Sequence, residues 1–331
     1  MGILTARLKL IIQMDFRSLL KTFCLFLLGL CLPFAAGAQD NDHSIGIWYS
    51  ASSSTQFSIA ESVSTKTREM LAEKGRTASI HLVNIDNPAR PFPSYSLSVV
   101  LGEKAARTYQ SVNAISPITL YGLMSRVSME AFLSSHKTDS KRAFGIHLDQ
   151  PIERLLKLAK LSFNNLKSVG FILSPRSSFS VGEIRLSSRL HNLTPILGHI
   201  DESSDLIFTT EKALGSSDAL IAIPDAAVFN RYTVQKILLT TYRKGKPVFG
   251  YSSALVRAGA VAAVYSSPDD IGLDISEQAL DVLLNAELPS FGSRPPKYFS
   301  VSVNNRVSRA LGLKIPTKET LLRSLRESEG R

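Results

Sequence analysis

The chain has almost no cysteine. Its two cysteines, Cys24 and Cys31, both lie before residue 39. If that leading stretch is removed, no thiol and no disulfide remain, and core packing alone must hold the rest together. Histidine is also sparse. The six histidines (His43, His81, His136, His147, His191, His199) show no H-x-x-x-H spacing and no H-E-x-x-H. That pattern gives no zinc chemistry. There is no G-x-x-x-x-G-K-[ST] or G-x-G-x-x-G loop either, so nucleotide binding has no support and no cofactor is expected. Tryptophan occurs once, at Trp48. It would either stack on a ligand or fill a core.

What is present begins at the N-terminus. Arg7, Lys9, Arg17 and Lys21 precede the apolar run Phe23–Leu32, which Pro33 breaks before Ala36-Gly37-Ala38. A positive flank, a short apolar core and an A-x-A site make a secretory signal peptide, cleaved after Ala38, and imply a periplasmic product. The apolar core is about half the ~20 residues a spanning helix needs. Met1 or Met14 would serve as the start. Leu30, directly before Cys31, is too large for a lipidation site, so the product is expected to be soluble.

At 331 residues two domains are the natural expectation. Hydrophobic residues make up 44% and charged residues 20%, as in an ordinary globular protein. Without residues 1–38 the chain carries 34 Lys+Arg against 27 Asp+Glu, a net +7. Export and the lack of basic residues interleaved with aromatics exclude a nucleic-acid partner. A solvated basic surface, weakly attracted to anionic membranes, is the reading that remains.

The periodicity is α/β. Ser44–Tyr49, Ala78–Val83, Leu97–Leu101, Pro117–Tyr121 and Ala143–His147 read as strands. So do Ser168–Leu173, Ile196–Ile200, Ala219–Ile223, Pro247–Tyr251 and Gly259–Tyr265. Helical patterns lie between most of them. One is an amphipathic segment holding Val228, Tyr232, Ile237, Leu238 and Leu239, stopped by Gly245. Alternating strands and helices of this kind build parallel sheets, whose ligands sit outside the strands' carboxyl ends. Between Ile85 and Tyr95, Pro88, Pro91 and Pro93 exclude a helix. Gly250-Tyr251-Ser252-Ser253-Ala254 resembles a nucleophile elbow, but no histidine follows it, and the elbow needs its base downstream. No enzymatic reading survives.

Several stretches carry a family resemblance: "PD…N" after Ala219–Ile223, "KGKPVFG", "GAVAAVYSSPDDIG" and the tail "YFSVSVNNRVSRALGLKIPTKETLL" (Tyr298–Leu322). From about Asp149 to the C-terminus the chain resembles solute-binding proteins of ATP-binding-cassette importers, which adopt the type I periplasmic-binding-protein fold. Before that the likeness is looser, and the missing helix after Val83 departs from the family.

The resemblance implies two doubly wound parallel-sheet lobes joined by hinge strands. One lobe would hold 43–147 plus about 259–288, the other 148–258 plus about 297–331. Crossings are expected near Gly145–Pro151, Gly250–Gly259 and Leu288–Lys297. It also implies a monomer that binds a small-molecule ligand between the lobes and serves an ABC permease at the inner membrane. The alternative is a periplasmic sensor or accessory protein with another membrane partner. Strand-end residues supply the candidate ligand contacts. In the first lobe these are Tyr49, Ser50, Ser52 and the helix start at Gly102 and Lys104, which is otherwise a plain strand-to-helix turn. In the second lobe they are Arg176, Ser177, Asp225, Tyr251 and Ser252. Arg176 would contact an anion or bridge the cleft. Asp225 would accept from a ligand, cap a helix, or do both.

Overall fold

The computed structural model describes residues 43–87, 92–112, 116–135, 143–201, 205–285 and 292–330. The expected signal peptide with both cysteines, Pro88, Pro91 and positions 288–291 of the expected third crossing lie outside the described residues.

Residues Asp42–Arg331 form one compact unit built on two six-stranded sheets. The first sheet has β1 (His43–Tyr49), β2 (Ala78–Asn84), β3 (Leu97–Leu101), β4 (Ile118–Gly122), β5 (Ala143–Ile146) and β11 (Gly292–Arg294). Their spatial order is β11-β5-β4-β3-β1-β2 and every pairing is parallel. The second sheet has β6 (Ser168–Leu173), β7 (Thr194–His199), β8 (Ala219–Ile221), β9 (Val248–Gly250), β10 (Ala262–Tyr265) and β12 (Ser300–Val303). Its order is β12-β10-β9-β8-β6-β7, with only β12 antiparallel. Helices cover both faces of each sheet, which is why the central strands are apolar runs rather than alternating ones. The fold is α/β, with two doubly wound lobes.

Local chemistry sets the helix starts. Ser53 caps α1 (Ser54–Glu73) by accepting from the Gln56 amide. α2 (Glu103–Ser111), α3 (Arg126–Ser135), α4 (Ile152–Ser162) and α5 (Val181–Leu190) follow their strands. Asp205 caps α6 (Leu206–Gly215) with bonds from the Ile207 and Phe208 amides. α7 (Val234–Arg243) ends at Gly245, whose φ of 66° suits a residue without Cβ. α8 (Ser253–Ala258), α9 (Pro268–Asn285), α10 (Asn305–Ala310) and α11 (Lys318–Glu327) complete the set. Among the described residues no helix is long and apolar enough to cross a membrane.

Two expectations are corrected. The amphipathic segment around Val228 and Tyr232 is not helical from its start, because turns run from Ala226 to Thr233. The second crossing does not lie near Gly250–Gly259. β10 pairs with β9 and β12, so residues through Tyr265 belong to the second lobe, and the chain returns to the first at Pro268. The apolar run Gly259–Tyr265 looks the same whichever sheet receives it, so only strand pairing decides its lobe.

Between β2 and β3 no helix is present among the described residues. Aromatic rings take its place on the sheet. Trp48 is fully buried, with Phe92 and Tyr109 each at a ring separation of 5.0 Å and Tyr95 at 6.4 Å. Tyr95 lies so close over Gly46 that a Cβ there would fall 2.5 Å from its ring. Trp48 is therefore a core residue of the rebuilt face.

Candidate functional site

The polar strand ends of the two lobes meet around Tyr251. A cavity of about 320 Å³ is lined by Ser125, Val127 and Ser128 from the first lobe and by Arg176, Pro224, Asp225, Ala226, Phe229 and Tyr251 from the second. Beside it, one of about 400 Å³ shares Ser125, Pro224 and Tyr251. Its other walls include Asp149, Ser252, Tyr265 and the crossing Ser266–Pro268.

Asp225 shapes the second-lobe wall. It is 5% exposed, and its carboxylate is already engaged. Oδ2 accepts from the Ser174 amide at 3.0 Å and from Ser177 Oγ at 2.6 Å, and Oδ1 accepts from the Ala227 amide at 2.9 Å. Burial alone would raise this carboxyl. The hydrogen bonds from Ser177 and Ser174 outweigh it and hold the group below the usual carboxylate range. Asp225 thus ties the β8 turn to the loop after β6. It caps the turn through Ala227 rather than α7, whose N-cap is Thr233. Ser177 is buried in the same knot.

Tyr251 stands T-shaped to Phe229 at 6.3 Å. Burial, then the negative Asp225 and Asp149, push its hydroxyl up to about 12, so it is a neutral donor at any working pH. Asp149 is raised by burial, against which the Arg126 amide donates to its Oδ2 at 2.7 Å. Arg176 is exposed, and its guanidinium has no ion pair among the described residues, so the cleft-spanning salt bridge is not formed. Ser252 accepts from the Leu255 amide at 3.2 Å and caps α8.

The first-lobe candidates gather elsewhere. Asp86 Oδ2 accepts from Ser50 Oγ at 2.8 Å and from the Ser52 amide at 2.9 Å, while Lys104 pairs with Oδ1. The hydrogen bond from Lys104, then those from Ser52 and Ser50, hold Asp86 far below the usual carboxylate range. Tyr49 is 7% exposed and packs on Phe57. Gly102 does not offer a free amide, because its N–H donates to Gly122 O at 2.8 Å. With φ 89° and the Gln56 side chain within 2.5 Å of where a Cβ would sit, the position takes only glycine. Tyr49, Ser50, Ser52, Gly102 and Lys104 line neither interlobe cavity. The first-lobe wall is formed instead by Ser125–Ser128 after β4 and by Asp149 after β5. Sequence reasoning missed these, along with Asp86 and Phe229. A polar residue just past each apolar run was the available signal.

A third cavity, of about 460 Å³, lies at the crossings, lined by Arg126, Glu130, His147, Asp149, Glu183 and others. Arg126 joins the lobes: Nη1 bonds Glu183 at 2.6 Å, Nε bonds Glu130 at 2.8 Å, and the guanidinium lies 5.4 Å from the Phe179 ring centre. Burial, then the positive Arg126, lowers His147 to about 4. The unfolded chain therefore takes up a proton that the native state refuses. Stability from this group is complete above about pH 6.5 and is lost as pH falls toward 4, by about 3 kcal/mol in all. Melting curves should show this slope in the wild type, and His147→Asn should flatten it.

The sequence model of the family "ABC transporter substrate binding protein" matches residues 89–328. A search of curated proteins finds no match. Solved structures are similar in fold. One is a ligand-free, open substrate-binding protein with adhesive properties from Clostridium difficile, at 18% identity and TM-score 0.61, covering 84% of this chain and 97% of that one. Another is the ABC domain from Streptococcus pneumonia in complex with L-Trp, at 17% identity and TM-score 0.51, covering 85% and 97%. A conserved domain protein from Vibrio cholerae gives 18% identity and TM-score 0.51, covering 85% and 98%.

Proposed function

The chain belongs to the family of ABC transporter substrate-binding proteins, and from that premise we propose that it is the periplasmic receptor of an ABC importer. It acts as a monomer, captures a small amino-acid-like ligand between its lobes, and presents the closed form to an inner-membrane permease. The signal-peptide pattern of residues 1–38 supports export.

The observation that carries the ligand class is the unpaired guanidinium of Arg176 in a cavity walled by both lobes. A planar, permanently charged donor suits a carboxylate. Asp149, held partly out of water, would receive an ammonium group, and Phe229 and Tyr251 offer ring faces for a side chain. Asp225 does not take the ammonium, because three protein donors occupy it. That one solved relative of this fold carries L-Trp agrees with the ring-lined walls.

Thermal melts with free amino acids, short peptides and sugars test this. A ligand at about 100 times its Kd adds about 2.7 kcal/mol. An amino acid should raise the melting temperature, and Arg176→Ala should abolish the rise without changing the unliganded melt. A rise with neutral sugars alone would overturn the assignment. The rebuilt face between β2 and β3 favours a second reading, a sensor for another membrane partner. Ligand uptake that is intact in a deletion strain would select it.

A further inference from the structure

The face of α7 that points away from the sheet has no role in the cleft. Ile237, Leu238 and Thr241 are buried on the inner side. Outside, Lys236, Leu239 and Arg243 follow one another at three- and four-residue steps and form a single stripe. Tyr232, 70% exposed, continues the stripe before the helix, and Tyr242 flanks it at 47%. Leu239 is 48% exposed, and Phe208 on the neighbouring α6 is 64% exposed. The Arg231 guanidinium lies 4.8 Å from the Tyr232 ring centre.

The charge around this stripe is one-sided. From Ala226 to Pro268 the sequence has no acidic residue, and Arg231, Lys236, Arg243, Lys244 and Lys246 crowd the helix and its C-terminal turn. Arg231, Lys236, Arg243 and Lys244 form no ion pair among the described residues. On α6, Lys212 is exposed beside the acidic Glu211. Exposed tyrosines and a leucine interleaved with unpaired cations along one helix are what lies flat in a bilayer interface. The apolar tips enter the headgroup layer while the cations meet phosphates.

We propose that this α7 face docks the protein on a phospholipid surface bearing anionic headgroups. The inference does not depend on the cleft or its ligand, and its test involves neither.

The chain lacking residues 1–38, which keeps the whole compact unit Asp42–Arg331, is floated with two kinds of vesicle. One kind is phosphatidylcholine alone, and the other also contains phosphatidylglycerol. It should float with the anionic vesicles only, and high salt should release it. K236Q/R243Q should weaken flotation on the order of tenfold or more. Y232S/L239S/Y242S should weaken it with the charge intact. R185Q/R189Q, which removes two exposed cations from α5, should leave it almost unchanged. All these positions are on the surface, and a melting curve for each variant confirms folding. Equal losses in K236Q/R243Q and R185Q/R189Q would overturn the proposal in favour of attraction by net charge. So would wild-type protein that stays off anionic vesicles, which would leave the face to an acidic protein partner.

Discussion

Arg154→Ala is expected to cost about 3–5 kcal/mol of stability, the range for breaking a buried ion pair from one side. Arg154 is 3% exposed on α4. Its Nε and Nη2 grip both oxygens of Glu329 at 2.6 and 2.9 Å, and Nη1 bonds Gln150 at 2.6 Å and Pro296 O at 3.2 Å. The Phe299 ring centre lies 4.1 Å from the guanidinium. One side chain thus ties the first crossing, the third crossing and the C-terminal tail together. Removing it takes two donors from the mostly buried Glu329 and one from the buried Gln150. Chemical denaturation should show the loss as a lower midpoint. Arg154→Lys should recover only part of it, because an ammonium cannot match the bidentate fork. An alanine variant as stable as the wild type would show that the crossings need no such tie.

Asp225→Ala should strike both stability and binding. The Ser174 amide, Ser177 Oγ and the Ala227 amide would each lose the bond to Asp225, and the first two would keep only their longer bonds to Ser177 Oγ at 3.1 Å and Ser174 O at 3.3 Å. A hydrogen bond to a charged acceptor contributes about 1.5–3 kcal/mol, less what the remaining bonds recover, so a net loss of about 2–4 kcal/mol is expected. The Arg176 loop and the Pro224–Phe229 turn would also drift apart, so affinity for any cleft ligand should fall on the order of a hundredfold. Asp225→Asn should lose less stability, since it keeps one acceptor oxygen. The pH sign follows from the depressed carboxyl. Its contribution is complete above the ordinary carboxylate range and disappears as pH falls below it, because the unfolded chain protonates first. Isothermal titration and melts on the two variants separate the effects. Unchanged affinity in a folded Asp225→Ala would remove this turn from the binding wall.

Much of this was legible along the chain. The apolar runs and their breakers define nearly every strand, because a parallel strand buried on both faces must be apolar throughout. Gly75 and Gly245 mark helix ends because a positive φ there suits glycine. The prolines near Pro93 exclude a helix there, since proline removes a donor and blocks the preceding turn, and none is present among the described residues. Asp225, Tyr251, Ser252 and Arg176 stood out as polar residues directly after apolar strands, and all four border the interlobe cavities.

By itself the sequence determined the α/β class, the exclusion of a helix at Pro93 and which strand ends carry polar groups, and its family resemblance implied the two-lobe plan. The first three follow from local rules of burial, turn chemistry and backbone geometry. Only the tertiary structure decided which lobe receives Ala262–Tyr265, since pairing joins strands far apart in the chain. It placed Trp48 in a core of rings and gathered Ser50, Ser52 and Lys104 on Asp86 rather than on the cleft. It also revealed Ser125, Ser128 and Asp149 as the opposing wall. Whether a carboxylate is free for a ligand or held by its own loop depends on donors about 50 residues away, as Asp225 with Ser174 and Ser177 makes plain. No spacing in the sequence records such distances.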